Sequence, residues 1–226
     1  MITLITLFTG DKGYFNRWNE MILKENLGNV RFLLNIPEGA GINPNLPSDP
    51  VVFHHPLIQH AKSEYERTNY IVSVYNDLLQ QVTDDVVFIL EEDVWAEQGF
   101  LSKLTERVIS SEYPVFSGVY PFRDSDPQFK PICLYQAGED NKPINLYESS
   151  KPEQISKCFV GSTGLMAIKM SVLKSVNYLR CEKIVFGGFE STPSCDGWDI
   201  CLGYDLRDRD IPFYVDPTIR TIHGRS

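Results

Sequence analysis

The first half of the chain alternates between short apolar runs and segments with helical periodicity. Continuous apolar runs, which predict buried strands, lie at residues 2–8, 30–35, 51–54 and 86–90. One helix is predicted from about Phe15 to Lys24, and a second begins near Ser63, where apolar residues recur at helical spacing from Ile71 to Val82. This alternation predicts an α/β fold in which helices flank a mostly parallel central sheet.

The second half of the chain is patterned less regularly. The predicted helices lie at residues 100–110, in a short segment capped by Ser171, and at residues 199–207. The predicted strands lie at residues 115–120, 165–168, 213–215 and 218–222. Residues 121–157 carry many polar and turn-forming side chains, which predict a meander or a substrate loop.

Length and composition predict a single soluble domain. The chain has 226 residues, of which 42% are apolar and 23% charged, close to globular averages. Its apolar stretches are all shorter than the roughly 20 residues that a membrane span needs. Residues 1–8 lack a basic start and a cleavage site, so we expect a strand of the mature protein. We therefore expect a cytoplasmic location, in a bacterial cell or a virus-infected host cell.

Charge and cysteine content exclude several classes of protein. With 30 acidic and 21 basic residues the formal net charge is −9, which argues against a broad cationic surface for nucleic acid or anionic lipid. A local basic groove is still compatible with this charge. The five cysteines are odd in number and include no Cys-x-x-Cys pair, so reduced thiols are expected rather than a disulfide framework or a zinc ribbon.

Three carboxylates, Glu91, Glu92 and Asp93, directly follow the apolar run at residues 86–90. Acidic side chains are costly to bury unless they are paired or bound to a metal. Open α/β sheets bind their ligands at the carboxyl ends of the strands. The triplet therefore predicts a cation site at this edge of the sheet, and the alternative is an acidic strand end that faces water.

The order of these features over nearly the whole chain resembles that of the GT-A-type glycosyltransferases, which have a single Rossmann-like nucleotide-sugar transferase domain. That family carries an Asp-x-Asp motif after its nucleotide-binding half, and the corresponding triplet here, Glu91-Glu92-Asp93, begins with a different acid. The resemblance implies a Mn²⁺ or Mg²⁺ ion that bridges the donor phosphates. Asp93 is then the direct ligand. Glu91 and Glu92 bind the donor, Glu91 through water or at the ribose or sugar.

The end of the chain offers a second correspondence. Members of the family often finish with a strand that returns a histidine to the same metal, and His223 occupies this position. A neutral imidazole is a suitable ligand for Mn²⁺. The alternative is a surface histidine near the end of the chain.

The resemblance also implies donor contacts in the first half of the chain. Thr9, Gly10 and Asp11 follow the first strand, where the family binds the nucleoside, and a plain turn is the alternative. Arg67 precedes the apolar stripe of the long helix and is assigned to the donor phosphates. An exposed ion pair with a neighbouring glutamate is an equally good interpretation of Arg67.

Two acids near the last predicted helix are candidates for the catalytic base. Asp196 and Asp199 correspond to the acidic motif where inverting members of the family keep a general base, and Asp196 is favoured because it lies farther into the loop. Ordinary helix capping is the alternative role for either acid. In the family a small-residue segment such as residues 161–164 lines the sugar and acceptor pocket. Residues 187–193 are predicted to form a lid or, alternatively, a static glycine turn.

The sequence thus predicts a metal-dependent glycosyltransferase that uses a nucleoside diphosphate sugar, with UDP as the expected carrier. Residues 1–95 form the nucleotide-sugar-binding half, and residues 96–226 form the acceptor-binding and catalytic half. The acceptor hydroxyl belongs to a saccharide, a protein or a hydroxymethylated DNA base. A non-catalytic nucleotide-sugar-binding module and a nucleotidyltransferase are the alternatives, although residues 9–13 match the basic glycine-rich loop of the latter poorly.

Overall fold

The part of the chain that the computed structural model describes contains five helices and thirteen strands. The described residues are 1–25, 29–56, 64–109, 113–119, 135–137, 143–145, 154–158, 161, 163–181, 185–186, 189–190 and 197–224. The helices in this part of the chain are α1 (Lys12–Lys24), α2 (Glu64–Gln80), α3 (Phe100–Ile109), α4 (Met170–Ser175) and α5 (Gly197–Arg207). The first strands are β1 (Ile2–Leu7), β2 (Val30–Pro37), β3 (Val51–His55), β4 (Val86–Leu90), β5 (Val94–Ala96) and β6 (Val115–Val119). The later strands are β7 (Tyr135–Ala137), β8 (Pro143–Asn145), β9 (Ser156–Cys158), β10 (Leu165–Lys169), β11 (Val185–Phe186), β12 (Phe189–Glu190) and β13 (Phe213–His223).

Nine strands form the central sheet in the order β3-β2-β1-β4-β10-β6-β13-β5, with β9 paired to β13. Strands β3, β2, β1, β4, β6 and β13 run in one direction, and β10, β5 and β9 run in the other. Strand β13 pairs with β6 through its first part and with β5 through residues 221–223, with a register shift between Val215 and Arg220. The predicted fold class, an α/β fold with a mostly parallel sheet, is confirmed.

Helices cover both faces of the sheet. Alternate side chains of β1 and β4 point to opposite faces because side chains alternate along a strand. Leu4, Phe88 and Leu90 pack in the hydrophobic cluster that contains residues of α1 and α3. Ile5 and Ile89 belong to the cluster that contains residues of α2, α4 and α5. The result is a three-layer arrangement, and open α/β sheets of this kind typically bind ligands at the carboxyl ends of their parallel strands.

Four local features differ from the prediction. Helix α1 begins at Lys12 because the Asp11 side chain accepts hydrogen bonds from Gly13 N and Tyr14 N and caps it. Helix α4 begins at Met170 after Lys169, without a side-chain cap, so the predicted Ser171 cap is wrong. The two strands predicted near the end of the chain are one long strand, β13. The short strands β5 and β9 were not predicted, because each has only three residues.

Among the helices of the described residues, none is both long enough and apolar enough to cross a membrane.

One buried carboxylate joins two helices on the same face of the sheet. Glu25, which follows α1 and is 4% exposed, accepts hydrogen bonds from Gly99 N at 2.5 Å and Leu101 N at 3.3 Å. These amides lie at the start of α3, where a helix leaves its first N–H groups without internal acceptors. Glu25 therefore caps α3 from the end of α1.

Replacing Glu25 by alanine should lower the free energy of unfolding by about 2 kcal/mol, because buried amides lose their acceptor. Urea unfolding monitored by circular dichroism measures this loss. The matched control is Gln98→Ala, since Gln98 Nε2 joins the same two segments through an exposed hydrogen bond to Lys24 O at 2.9 Å. The control should change the unfolding free energy by less than about 0.5 kcal/mol. Equal losses in the two variants would contradict the capping role.

The same residue predicts a pH dependence of stability. Burial raises the pKa of Glu25 above its ordinary value, although hydrogen bonds from Gly99, Leu101 and Phe100 act in the opposite direction. The stability that this group contributes is therefore full below the unfolded pKa of 4.5 and is lost as pH rises through the higher folded value. Relative to a Glu25→Gln variant, which does not titrate here, the wild type should lose unfolding free energy over this range. A difference that stays constant or grows with pH would contradict the shift.

Candidate functional site

The candidate site lies at one edge of the sheet, where β1, β4 and β13 all end. Strand β4 pairs in parallel with β1, so the segments that follow Leu7 and Leu90 emerge at the same edge. Strand β13 brings His223 to this edge through its pairing with β5, in which His223 lies opposite Val94. Residues that are far apart in the sequence are thus brought together at the carboxyl edge.

Three potential ligands of one cation cluster at this edge. The ligating atoms of Glu91, Asp93 and His223 all lie within 4.8 Å of one another. His223 Nε2 is 3.4 Å from Asp93 Oδ2, and the two side chains are only 10% and 6% exposed. Ligands of a small divalent cation lie about 2.1 Å from it, so they stand up to about 4.2 Å apart. The 3.4 Å between His223 Nε2 and Asp93 Oδ2 lies within that range.

The chemistry of the three donors fits a particular class of cation. Two carboxylates and an imidazole suit Mn²⁺, and hard cations of this kind also leave positions open for phosphate oxygens. The residues present therefore fit a divalent cation.

Glu92, which is not one of the three donors, joins the end of β4 to the end of β1. Its Oε1 accepts hydrogen bonds from Thr9 N at 2.9 Å and from the Thr9 hydroxyl. The pKa of Glu92 is raised to about 7: burial is the main cause, the Thr9 hydrogen bonds act in the opposite direction, and the negative charges of Asp93 and Asp11 add to the rise. Glu92 therefore fixes the segment after β1 beside the acidic triplet.

The segment before β10 forms another side of the site. Glu91 N donates a hydrogen bond to Gly164 O at 2.9 Å, which holds this small-residue segment against the acidic triplet. Gly161 lies close to Phe213, since a methyl group at this glycine would come within 1.9 Å of the ring. Of the predicted small-residue segment, Ser162 lies outside the described residues.

The remaining predicted donor-binding residues lie around the same edge. Asp11 is exposed and caps α1, and its charge is felt by Glu92, so it lies near the carboxylates. Gly10 has a positive φ of 98°, a backbone conformation in which glycine is favoured. Arg67 is exposed near the start of α2. Since α2 leads back into β4, its first turn lies toward the carboxyl edge, outside the three-donor cluster.

The candidate bases are placed only in part. Asp199 lies in the first turn of α5, half-buried, and its Oδ1 accepts a hydrogen bond from Ile200 N at 2.9 Å. Trp198 packs against Tyr75 with ring centroids 5.6 Å apart, which holds the start of α5 against α2. Asp196 lies outside the described residues. The same is true of most of the proposed lid, of which only the strand β12, paired with β11, is described.

Tyr75 is a residue of this site that the sequence analysis placed only in the apolar stripe of α2. It is 2% exposed, and burial together with the charges of Glu91, Asp93 and Glu92 raises the pKa of its hydroxyl above the ordinary value. A hydrogen bond with the Leu7 backbone acts in the opposite direction. The hydroxyl therefore stays protonated beside the carboxylates. The sequence feature that could have indicated this role is a tyrosine among the aliphatic residues of the apolar stripe of α2.

Comparison with known proteins shows similarity in structure only. Neither a scan of protein-family models nor a search of curated proteins finds a match. The crystal structure of GalNAc-T7 with UDP, GalNAc and Mn²⁺ superposes with a TM-score of 0.63 at 9% identity, over 99% of this chain and 43% of that chain. The chain thus spans less than half the length of GalNAc-T7.

The A197 protein from STIV is a second structural relative. Its crystal structure gives a TM-score of 0.53 at 12% identity, over 100% of this chain and 86% of that chain. Both likenesses extend over essentially all of this chain, and they show that it has a fold of the GT-A type. The fold expected from the sequence resemblance is therefore confirmed.

Proposed function

We propose that the protein is a metal-dependent glycosyltransferase that moves a sugar from a nucleoside diphosphate sugar, with uracil as the base, to a hydroxyl acceptor. One observation carries the proposal: Glu91, Asp93 and His223 converge within 4.8 Å at the carboxyl edge of a GT-A-type sheet. The structure of GalNAc-T7, which has this fold, contains UDP and Mn²⁺. In the proposal, residues 1–95 form the donor-binding half and residues 96–226 the acceptor-binding and catalytic half.

Asp93 and His223 hold the cation, Mn²⁺ or Mg²⁺, in this proposal. Their low exposure supports the assignment, because a buried carboxylate needs a compensating charge or hydrogen bonds. Glu91 completes the set, either directly or through water. When bound, the cation neutralises the negative charge that grows on the departing diphosphate. By holding the cation, Asp93 and His223 would orient the donor so that its anomeric carbon faces the acceptor.

The end of β1 forms the nucleoside side of the donor site in this proposal. Thr9, Gly10 and Asp11 contact the base and ribose, and Glu92 fixes this segment through its hydrogen bonds to Thr9. Arg67, exposed at the start of α2, extends toward the diphosphate. Guanidinium groups are suited to this role because their planar donors match phosphate oxygens.

The acceptor hydroxyl loses its proton to Asp196 or Asp199 as the sugar is transferred. The position of Asp199 supports this assignment, since the packing of Trp198 against Tyr75 holds the start of α5 against α2. The acceptor is a saccharide, a protein or a hydroxymethylated DNA base. A DNA acceptor needs a local basic surface that offsets the formal net charge of −9.

Release of nucleoside diphosphate from a panel of uridine, guanosine and thymidine diphosphate sugars tests the proposal. The protein is incubated with each donor in Mn²⁺, in Mg²⁺ and in EDTA, without acceptor and with saccharide, peptide or hydroxymethylated DNA. We expect slow release from a uridine donor in Mn²⁺, acceleration by one acceptor class, and none in EDTA. Binding of a donor without release under any condition would favour a non-catalytic nucleotide-sugar-binding module. Release of pyrophosphate from nucleoside triphosphate would favour a nucleotidyltransferase.

A further inference from the structure

We infer that Gly224 is a positioning residue for the proposed metal centre: its lack of a side chain sets where His223 stands relative to Asp93. The inference rests on the proposed function, because it concerns a ligand of the proposed cation. Gly224 itself touches neither donor nor acceptor in this account. Its effect reaches the cation only through the residue before it in the sequence.

The backbone of Gly224 is fastened to the acidic triplet. Gly224 N donates a hydrogen bond to Asp93 O at 2.6 Å, directly after the pairing of His223 with Val94. This bond joins the two segments that supply the ligands. The backbone of Asp93 thus fixes the position of the residue next to His223, while the Asp93 side chain faces the His223 imidazole at 3.4 Å.

The rings of Trp95 and Tyr14, here called the aromatic wall, leave no room for a side chain at Gly224. A methyl group there would lie 2.6 Å from Trp95 Cη2 and 2.9 Å from Tyr14 Cε1. Both separations are well below carbon–carbon contact distance, so an alanine must displace either the wall or the strand end. Gly224 is therefore restricted by space on the side of the chain that faces α1.

Residues of α1 hold the aromatic wall in place. The Trp95 and Tyr14 rings lie 5.7 Å apart, and the Arg17 guanidinium lies over the Trp95 ring at 4.9 Å from its centroid. Tyr14 and Arg17 both belong to α1, whose residues Phe15 and Trp18 are buried in the core. A wall attached to a packed helix yields less readily than the last residues of a strand. Alanine at Gly224 should therefore move the strand end, and His223 with it.

The expected consequence is a weaker cation site in an otherwise folded protein. Changes in the surroundings of metal ligands typically lower metal affinity about 10–100-fold. We expect the Mn²⁺ dissociation constant of Gly224→Ala to rise by about tenfold or more, as measured by electron paramagnetic resonance titration with Mn²⁺ alone. Pulsed measurements on bound Mn²⁺ should show the histidine nitrogen coupling in the wild type and its loss or weakening in the variant.

Two double variants separate positioning from general damage. In a His223→Ala background, Gly224→Ala should change the Mn²⁺ dissociation constant by less than about twofold, because the ligand that Gly224 positions is already gone. Trp95→Leu removes the ring atoms that the new methyl group meets, so it should restore much of the Mn²⁺ affinity and the nitrogen coupling to Gly224→Ala. Thermal unfolding without metal, measured for every variant, identifies any loss of fold.

The outcomes distinguish this inference from the proposed function. If Gly224→Ala keeps wild-type Mn²⁺ affinity and nitrogen coupling while His223→Ala loses both, Gly224 has no positioning role and the metal centre stands. Equal loss of affinity from Gly224→Ala in the wild-type and His223→Ala backgrounds likewise overturns the inference. If the folded wild type binds no Mn²⁺, with or without UDP, the proposed metal centre itself is wrong and the inference falls with it.

Discussion

Asp93→Asn should abolish the effect of Mn²⁺ on UDP binding and lower donor turnover by about 10²-fold or more. An amide has nearly the shape of the carboxylate but no negative charge, so it is a poor ligand for a hard cation. Asp93 O can still accept the hydrogen bond from Gly224, so the backbone of the site should be retained. Calorimetric titration of UDP with and without Mn²⁺ measures the binding, and nucleoside diphosphate release measures turnover.

Asp84→Asn is the matched control for this experiment. Asp84 also lies beside β4, but before the strand rather than after it, and it accepts a hydrogen bond from the Thr3 hydroxyl at 2.6 Å. The control makes the same change in net charge at the opposite edge of the sheet. It should leave UDP binding within about twofold of the wild type in both conditions. Full turnover in Asp93→Asn, or equal effects in the two variants, would contradict the assignment of Asp93 as a ligand.

Replacing the catalytic base should give a comparably large loss of turnover without loss of donor binding. Removal of a positioned base typically lowers the rate by about 10²–10⁴-fold. We expect this loss in Asp196→Asn or in Asp199→Asn, with calorimetric UDP affinity in Mn²⁺ close to that of the wild type. Asp205→Asn, farther along α5, tests general damage to the helix, since Asp205 forms a salt bridge with Arg180 at 2.7 Å.

The catalytic base is the aspartate, Asp196 or Asp199, whose replacement lowers turnover but leaves UDP affinity unchanged. An acid whose variant loses both turnover and UDP affinity contacts the donor or supports the fold instead. If both variants keep turnover within a few-fold of the wild type, neither aspartate is the base. An Asp205→Asn variant with the same kinetic pattern as Asp199→Asn would mean that the loss arises from damage to α5.

The sequence predicted the sheet most successfully where hydrophobic runs are long. The runs at residues 2–8 and 86–90 became β1 and β4, which are buried on both faces and whose apolar side chains reflect this burial. Strand β5 carries only Val94, Trp95 and Ala96, and its pairing with β13 is a contact distant in the sequence. Local patterning cannot find such a strand, because its stability depends on a partner that the pattern does not identify.

In the candidate site too, local sequence patterns predicted some features, whereas others depend on contacts distant in the sequence. The acidic triplet was visible because three carboxylates follow a buried strand, and His223 was proposed from family resemblance. Their convergence depends on the order of the strands, which only the three-dimensional structure provides. Gly224 had no signal in the sequence, since its importance lies in the space between Trp95 and Tyr14. The role of Glu92 in fixing Thr9 was equally hidden, because it depends on the adjacent end of β1.

The proposed metal centre is tested most directly by a crystal grown or soaked with UDP and Mn²⁺, with diffraction data collected at the manganese absorption edge. One strong anomalous peak should lie between the Asp93 carboxylate and His223 Nε2, in contact with the diphosphate of UDP. Glu91 should lie in the first coordination sphere or one water away from it. Clear density for UDP with no anomalous peak at these residues, or with manganese bound elsewhere, would contradict the central claim.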